Sequence, residues 1–150
     1  MRLRICAVCI ALFVSAVSAG QRLEVGARGE AHTTPAGELV LRGALHGDVQ
    51  GTMRATLRLD GPSQVAGDWA LTLLTQHADG STSEAGVLVG RVDAGTVLTD
   101  SRGLVALRDV KLVLTDGVGE YAGRSEGDGT LDVLLGLANE PFQASVSLTF

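Results

Sequence analysis

The chain has 150 residues, with 12 Lys and Arg against 17 Asp and Glu, two Cys, and only five aromatic Trp, Tyr and Phe residues. A formal charge of −5 with arginines scattered among acids excludes a nucleic-acid binder, because counterion displacement needs a clustered basic surface. The length fits one ordinary domain with a single core.

The N-terminus has the order of a secretory signal. Arg2 and Arg4 precede an apolar stretch from Ile5 to Val17, and Ser18-Ala19-Gly20 follow as small residues. Val17 and Ala19 occupy the −3 and −1 positions of a cleavage site after Ala19. The apolar run is too short for a bilayer-spanning helix, so removal is expected rather than anchoring. Cys6 and Cys9 lie inside it, and Cys9 lacks the flank of a lipoprotein acceptor. Cleavage leaves residues 20–150, a cysteine-free chain with ten basic and seventeen acidic residues and a formal charge of −7. Such a domain must be stabilised by burial and sheet pairing, without disulfides. A single lysine, Lys111, and a bias to Arg, Ala, Gly and Val suit a GC-rich bacterial genome, which makes the expected destination secreted or periplasmic.

Taken in chain order, the remainder reads as strands separated by glycine-rich turns. Gln21 to Ala27 and Glu38 to Ala44 are the first two candidates. From Asp48 to Leu59 the apolar Val49, Met53, Ala55, Leu57 and Leu59 alternate with Gln50, Thr52, Arg54, Thr56 and Arg58, the period of a strand with one buried face. Gly51 takes the buried phase of that strand, a sign of close packing or a bend. Asp68 to Thr75, Ala85 to Val92, Gly103 to Thr115 and Arg124 to Leu135 follow, and residues 142–150 repeat the alternation through Phe142, Ala144, Val146, Leu148 and Phe150. Arg108-Asp109 breaks the phase of its segment and predicts a bulge. Gly61-Pro62, Asp79-Gly80, Asp116-Gly117 and Asn139-Glu140-Pro141 mark turns. Helix signals are nearly absent, and the close spacing predicts antiparallel hairpins. The expected fold is all-β, a single antiparallel β-barrel of about eight strands.

Asp116-Gly117-Val118-Gly119-Glu120-Tyr121-Ala122-Gly123, followed by Gly127-Asp128-Gly129-Thr130, resembles a recurring turn and strand of the allene oxide cyclase and dirigent-type barrels and their bacterial secreted relatives. In that pattern Gly117, Gly119 and Gly123 allow a tight reversal, Tyr121 plugs the barrel end, and Gly127 and Gly129 let strands bend into closure. Val118 replaces the usual Thr, and Arg124-Ser125-Glu126 is one residue longer than the pattern; a bulge is expected to absorb it. The resemblance spans about a third of the domain and implies a barrel. Plant members act on or hold hydrophobic small molecules, but their polar working residues have no matching positions in this chain.

No catalytic set emerges. There is no Gly-x-Ser-x-Gly elbow, the domain has no cysteine nucleophile, and Gly117-x-Gly119 with Gly123 lacks the spacing and the helix of a dinucleotide fingerprint. His32, His46 and His77 stand far apart and read as solvated loop residues, so no metal is expected. Asp116, Glu120, Glu126, Asp128 and Asp132 could gather around Ca²⁺, although they lack EF-hand spacing and read more simply as a polar face. No cofactor is implied.

The expected function is a non-catalytic exported barrel that holds a hydrophobic small molecule in its interior, lined by Met53, Leu57, Trp69, Leu71 and Leu112. A barrel filled by its own side chains is the plain alternative. Two rivals remain: an isomerase or cyclase acting on a hydrophobic compound, and a small eight-stranded outer-membrane barrel, suggested by the alternating C-terminus ending in Phe150. Too few aromatics for interfacial girdles weigh against the latter, and stable membrane insertion is not expected.

Overall fold

A computed structural model describes residues 20–137 and 140–150. The expected signal segment, residues 1–19, lies outside the described residues. Eight strands follow one another: β1 Arg22–Thr33, β2 Leu39–Gly47, β3 Gln50–Gly61, β4 Gln64–Gln76, β5 Thr82–Thr99, β6 Val105–Gly119, β7 Asp128–Leu135 and β8 Phe142–Thr149. Each pairs antiparallel with the next, and β1 pairs with β8, giving a closed eight-stranded barrel with no helix among the described residues. Every candidate strand of the sequence is present.

The alternation over β3 explains why the sheet closes inward. Met53, Ala55 and Leu57 are buried while Thr52, Arg54 and Arg58 are exposed, so a period of two sorts the side chains between one interior and one outer wall. The same sorting on β4 buries Trp69, Leu71 and Leu73, and on β8 it buries Phe142, Val146 and Leu148. These residues join one cluster with Leu23, Val25, Leu41, Leu88, Leu112, Leu131 and others, which is the core of the molecule. Closure also removes free strand edges, the groups that otherwise invite pairing with another chain.

Because the strands run alternately up and down, both described chain ends meet at one end of the barrel. Gln21 and Phe150 exchange backbone hydrogen bonds there, with N···O distances of 2.6 and 2.9 Å. The β2–β3, β4–β5 and β6–β7 connections share that end. The β1–β2, β3–β4, β5–β6 and β7–β8 connections form the other.

Two departures from the sequence reading have clear causes. Asp116-Gly117 is not a turn: β6 runs on to Gly119 and the chain reverses over 120–127. The polar pair instead sits at a register shift, where Val89 faces Asp116 and Gly90 faces Leu114, so that Thr115 is the extra residue of a bulge. The Asp116 carboxylate accepts the Gly117 N–H at 2.8 Å, a local bond that mimics turn chemistry inside a strand. Arg124-Ser125-Glu126 likewise forms no strand bulge. β7 starts only at Asp128, and the extra length is taken up in the connection.

The bulge expected at Arg108-Asp109 is present. Asp109 has φ of 51°, the only positive value at a non-glycine among the described residues, and the β6–β7 register jumps between Leu107 and Val110.

Candidate functional site

The five residues expected to line a ligand chamber come together. Met53, Leu57, Trp69, Leu71 and Leu112 belong to one cluster, and none is more than 4% exposed. Their neighbours complete the interior: Phe142 from β8, Leu88 and Val92 from β5, and Leu107, Val110 and Leu114 from β6. No polar or charged side chain is buried among the described residues, and no buried side-chain nitrogen or oxygen lacks a partner. The lining therefore offers van der Waals contact and almost no hydrogen bonding. The one polar handle is the Trp69 indole N–H, which donates to the Arg91 carbonyl at 3.1 Å and is satisfied by the wall itself.

Glycines set the space the large side chains occupy. Trp69 stands opposite Gly90 on β5, and Phe142 stands opposite Gly29 on β1, which in turn faces Gly43 on β2. A Cβ placed on Gly90 would lie 2.6 Å from the indole, and one on Gly43 would lie 3.0 Å from the Phe142 ring. Trp69 and Phe142 thus use volume that missing side chains on nearby strands leave open. The close approach expected at Gly51 is of the same kind, since a Cβ there would meet the Thr72 carbonyl oxygen at 2.0 Å.

The glycine motif shapes the end of the barrel where the chain termini meet. Gly117 and Gly119 fall at the C-terminal end of β6, and Gly119 and Gly123 adopt positive φ of 69° and 83°. Tyr121 is half-buried, packs against the core, and meets the Phe150 ring edge-on with centroids 5.8 Å apart. The Arg124 guanidinium lies 5.8 Å from the centroid of the same Phe150 ring. Burial pushes the Tyr121 phenol above its usual value, with the neighbouring Glu120 carboxylate adding to the effect. Gly127 and Gly129 flank the start of β7, where β8 passes so close that a Cβ on Gly129 would meet the Ser147 carbonyl oxygen at 2.1 Å.

Five concavities lie on the outer wall and rims. One of about 420 Å³ is lined by Arg54, Thr56, Asp68, Ala70, Val89 and Thr115, together with Trp69 and Gly90. It spans β3 to β6 at the Thr115 bulge, a feature the sequence reading missed because most of its residues occupy the outward phase of their strands. Another, of about 280 Å³, lies where β6, β7 and β8 reach the opposite end of the barrel.

The polar residues weighed in the sequence do not assemble. Asp132 accepts the Asp109 N–H at 2.9 Å, Asp116 accepts the N–H of its own neighbour Gly117, and among the described residues no three His, Cys, Asp or Glu side chains gather around a common point. His77 meets the Ser83 hydroxyl at 2.7 Å on an exposed hairpin. The carboxylate beside it, Asp79, bonds Ser81 instead of the imidazole, so the pair has no orienting acid.

No family model, curated protein or solved structure matches this chain.

Proposed function

We propose that the protein is an exported, non-catalytic barrel whose interior is a structural core and whose recognition surface is its outer wall. The observation that carries this reading is the composition of the interior: a chamber without a single buried polar or charged side chain among the described residues can neither orient a substrate nor activate it. An isomerase or cyclase would need an ionisable group facing a cavity. Filling of the interior by Trp69, Phe142, Met53 and thirteen leucines is what an eight-stranded barrel accommodates when its own side chains occupy the space.

Export rests on the signal-like order of residues 1–19. Similarity to the allene oxide cyclase and dirigent-type barrels rests on the Gly117–Gly129 segment, and an eight-stranded antiparallel barrel is the architecture that similarity implies. A lipid-facing barrel is disfavoured by the outer wall, where Glu24, Arg28, Glu30, Arg42, Arg54 and Arg58 are exposed. An Arg at the bilayer midplane costs about 2–4 kcal/mol.

The test uses Trp69, the only tryptophan, as an internal reporter. The chain from Gly20 onward, which contains the whole closed barrel, is titrated with diphenylhexatriene, an uncharged apolar probe. The expected result is no saturable uptake and unchanged Trp69 emission. Stoichiometric probe binding by the unmodified barrel, with transfer from Trp69, would replace this reading with an interior ligand site lined by Met53, Leu57, Trp69, Leu71 and Leu112.

A further inference from the structure

Large apolar side chains are rarely left on the outer wall of this barrel. Four are exposed among the described residues, and three of them, Leu98 at 51%, Leu134 at 39% and Leu137 at 49%, share one corner. The register explains the grouping: Leu98 on β5 stands opposite Ala106 on β6, and Ala106 stands opposite Leu134 on β7, giving an unbroken apolar row across three strands. At its end lies the concavity of about 280 Å³ lined by Leu104, Leu134, Leu137 and Pro141, with Arg102 and Glu140 among its walls. Contiguous apolar surface rimmed by charge marks an interaction site far more often than single exposed leucines do.

We propose that this corner is the interface of a two-fold homodimer. A closed barrel has no free strand edge, so a partner cannot add a strand and must meet the wall through side chains. The charges identify the partner as a second copy. An isologous contact sets residues of the patch against residues of the same patch, so charged rim groups that face each other across it require both signs. Arg102 and Glu140 meet that requirement within one concavity, and a two-fold axis through the apolar row sets each Arg102 against the other copy's Glu140. Leu137, half exposed in the wall of the hollow, adds apolar surface for the partner to cover. Asp100 already holds the Arg102 guanidinium at 3.2 Å, but most of the Arg102 side chain is exposed and its five N–H donors serve two carboxylates at once. Glu140 has no ion pair among the described residues. Near the row, Arg108 and Asp132 face each other across 4.0 Å.

Sedimentation equilibrium of the chain from Gly20 onward, across micromolar to millimolar concentrations, tests the proposal. A monomer–dimer equilibrium is expected, and Leu134→Glu should weaken it about tenfold or more while leaving the β-type circular dichroism unchanged. Arg102→Glu and Glu140→Arg should each weaken it as homodimers, through two acid–acid or two base–base contacts. An equimolar mixture of these two variants should recover the dimer, because both cross-pairs are then complementary. A monomer at every concentration would overturn the proposal. So would a dimer that tolerates Leu134→Glu and gains nothing from the charge-swapped mixture.

Discussion

The Trp69 indole packs over Gly90, the residue directly opposite it on the neighbouring strand. A methyl group at position 90 would lie 2.6 Å from the indole and 2.0 Å from the Val113 carbonyl oxygen. The second obstacle is backbone, so it cannot be relieved by a rotamer change. Gly90→Ala is therefore expected to destabilise the barrel by about 2–3 kcal/mol through overpacking. Urea unfolding followed by Trp69 emission reads both effects, a lower midpoint and a red shift of the folded-state maximum. A midpoint within error of the parent protein would show that the wall can give way here.

Much of this architecture is legible in the sequence because a barrel interior imposes a period of two on every strand. Met53, Ala55 and Leu57 are buried while Thr52, Arg54 and Arg58 are exposed, which is the pattern written in residues 48–59. The register shifts were harder to read. Arg108-Asp109 betrays its bulge by breaking an apolar alternation, whereas β5 is irregular on both sides of Ala94 without such a signal, and the strand runs on to Thr99, seven residues past the expected end. Small residues at Ala94 and Gly95 satisfy either phase, so hydropathy carries no information there. Asp116-Gly117 failed for the opposite reason, since turn-forming chemistry served a bulge. The outer-wall hollows were invisible because they depend on which polar-phase residues become neighbours across strands, and that is fixed by register.

Tyr121 supplies a spectroscopic test of the barrel end, being the only tyrosine in the chain. Burial first, and the Glu120 carboxylate second, raise its phenol above the ordinary value of 10.0. A group whose folded-state pKa is raised contributes stability that is complete below the unfolded pKa and is lost as pH climbs through the folded one. Absorbance at 295 nm should show phenolate forming later than in the urea-unfolded chain, and stability should fall above about pH 10. Tyr121→Phe should remove that alkaline limb while keeping the edge contact with Phe150. Coincident titration of folded and unfolded protein would mean that Tyr121 is solvated and does not close the barrel end.

At the opposite end, Asp100 organises the β5–β6 connection. Its carboxylate accepts the backbone N–H groups of Leu104 at 2.9 Å and Arg102 at 2.8 Å. The Leu104 bond is the largest cause holding its pKa below 3.8, with the Arg102 backbone and side chain adding to it. For a depressed carboxylate the stabilisation is present above the unfolded pKa and is lost as pH falls through the folded value. Amide exchange at Leu104, corrected for its intrinsic acid dependence, should therefore lose protection as pH drops below about 4. Asp100→Asn should show weaker protection at neutral pH and no such acid step. Identical profiles for the two proteins would assign the protection to the strand ladder instead of the side chain.

The remaining strain sits at Asp109, whose φ of 51° places an L-residue in the left-handed region. Its N–H donates to the Asp132 carboxylate at 2.9 Å on β7, so the bulge is tied to the next strand by the residue that also faces Arg108. Asp and Asn tolerate this conformation better than other side chains, and a β-branched residue tolerates it least. Asp109→Asn is expected to be nearly neutral, whereas Asp109→Val should cost about 1–2 kcal/mol. Asp132→Ala should cost about 0.5–1.5 kcal/mol by leaving the Asp109 N–H without its partner. Thermal denaturation of the three variants separates the causes: if Val and Asn are equally stable at position 109, the backbone there is relaxed, and the bulge is held by Asp132 alone.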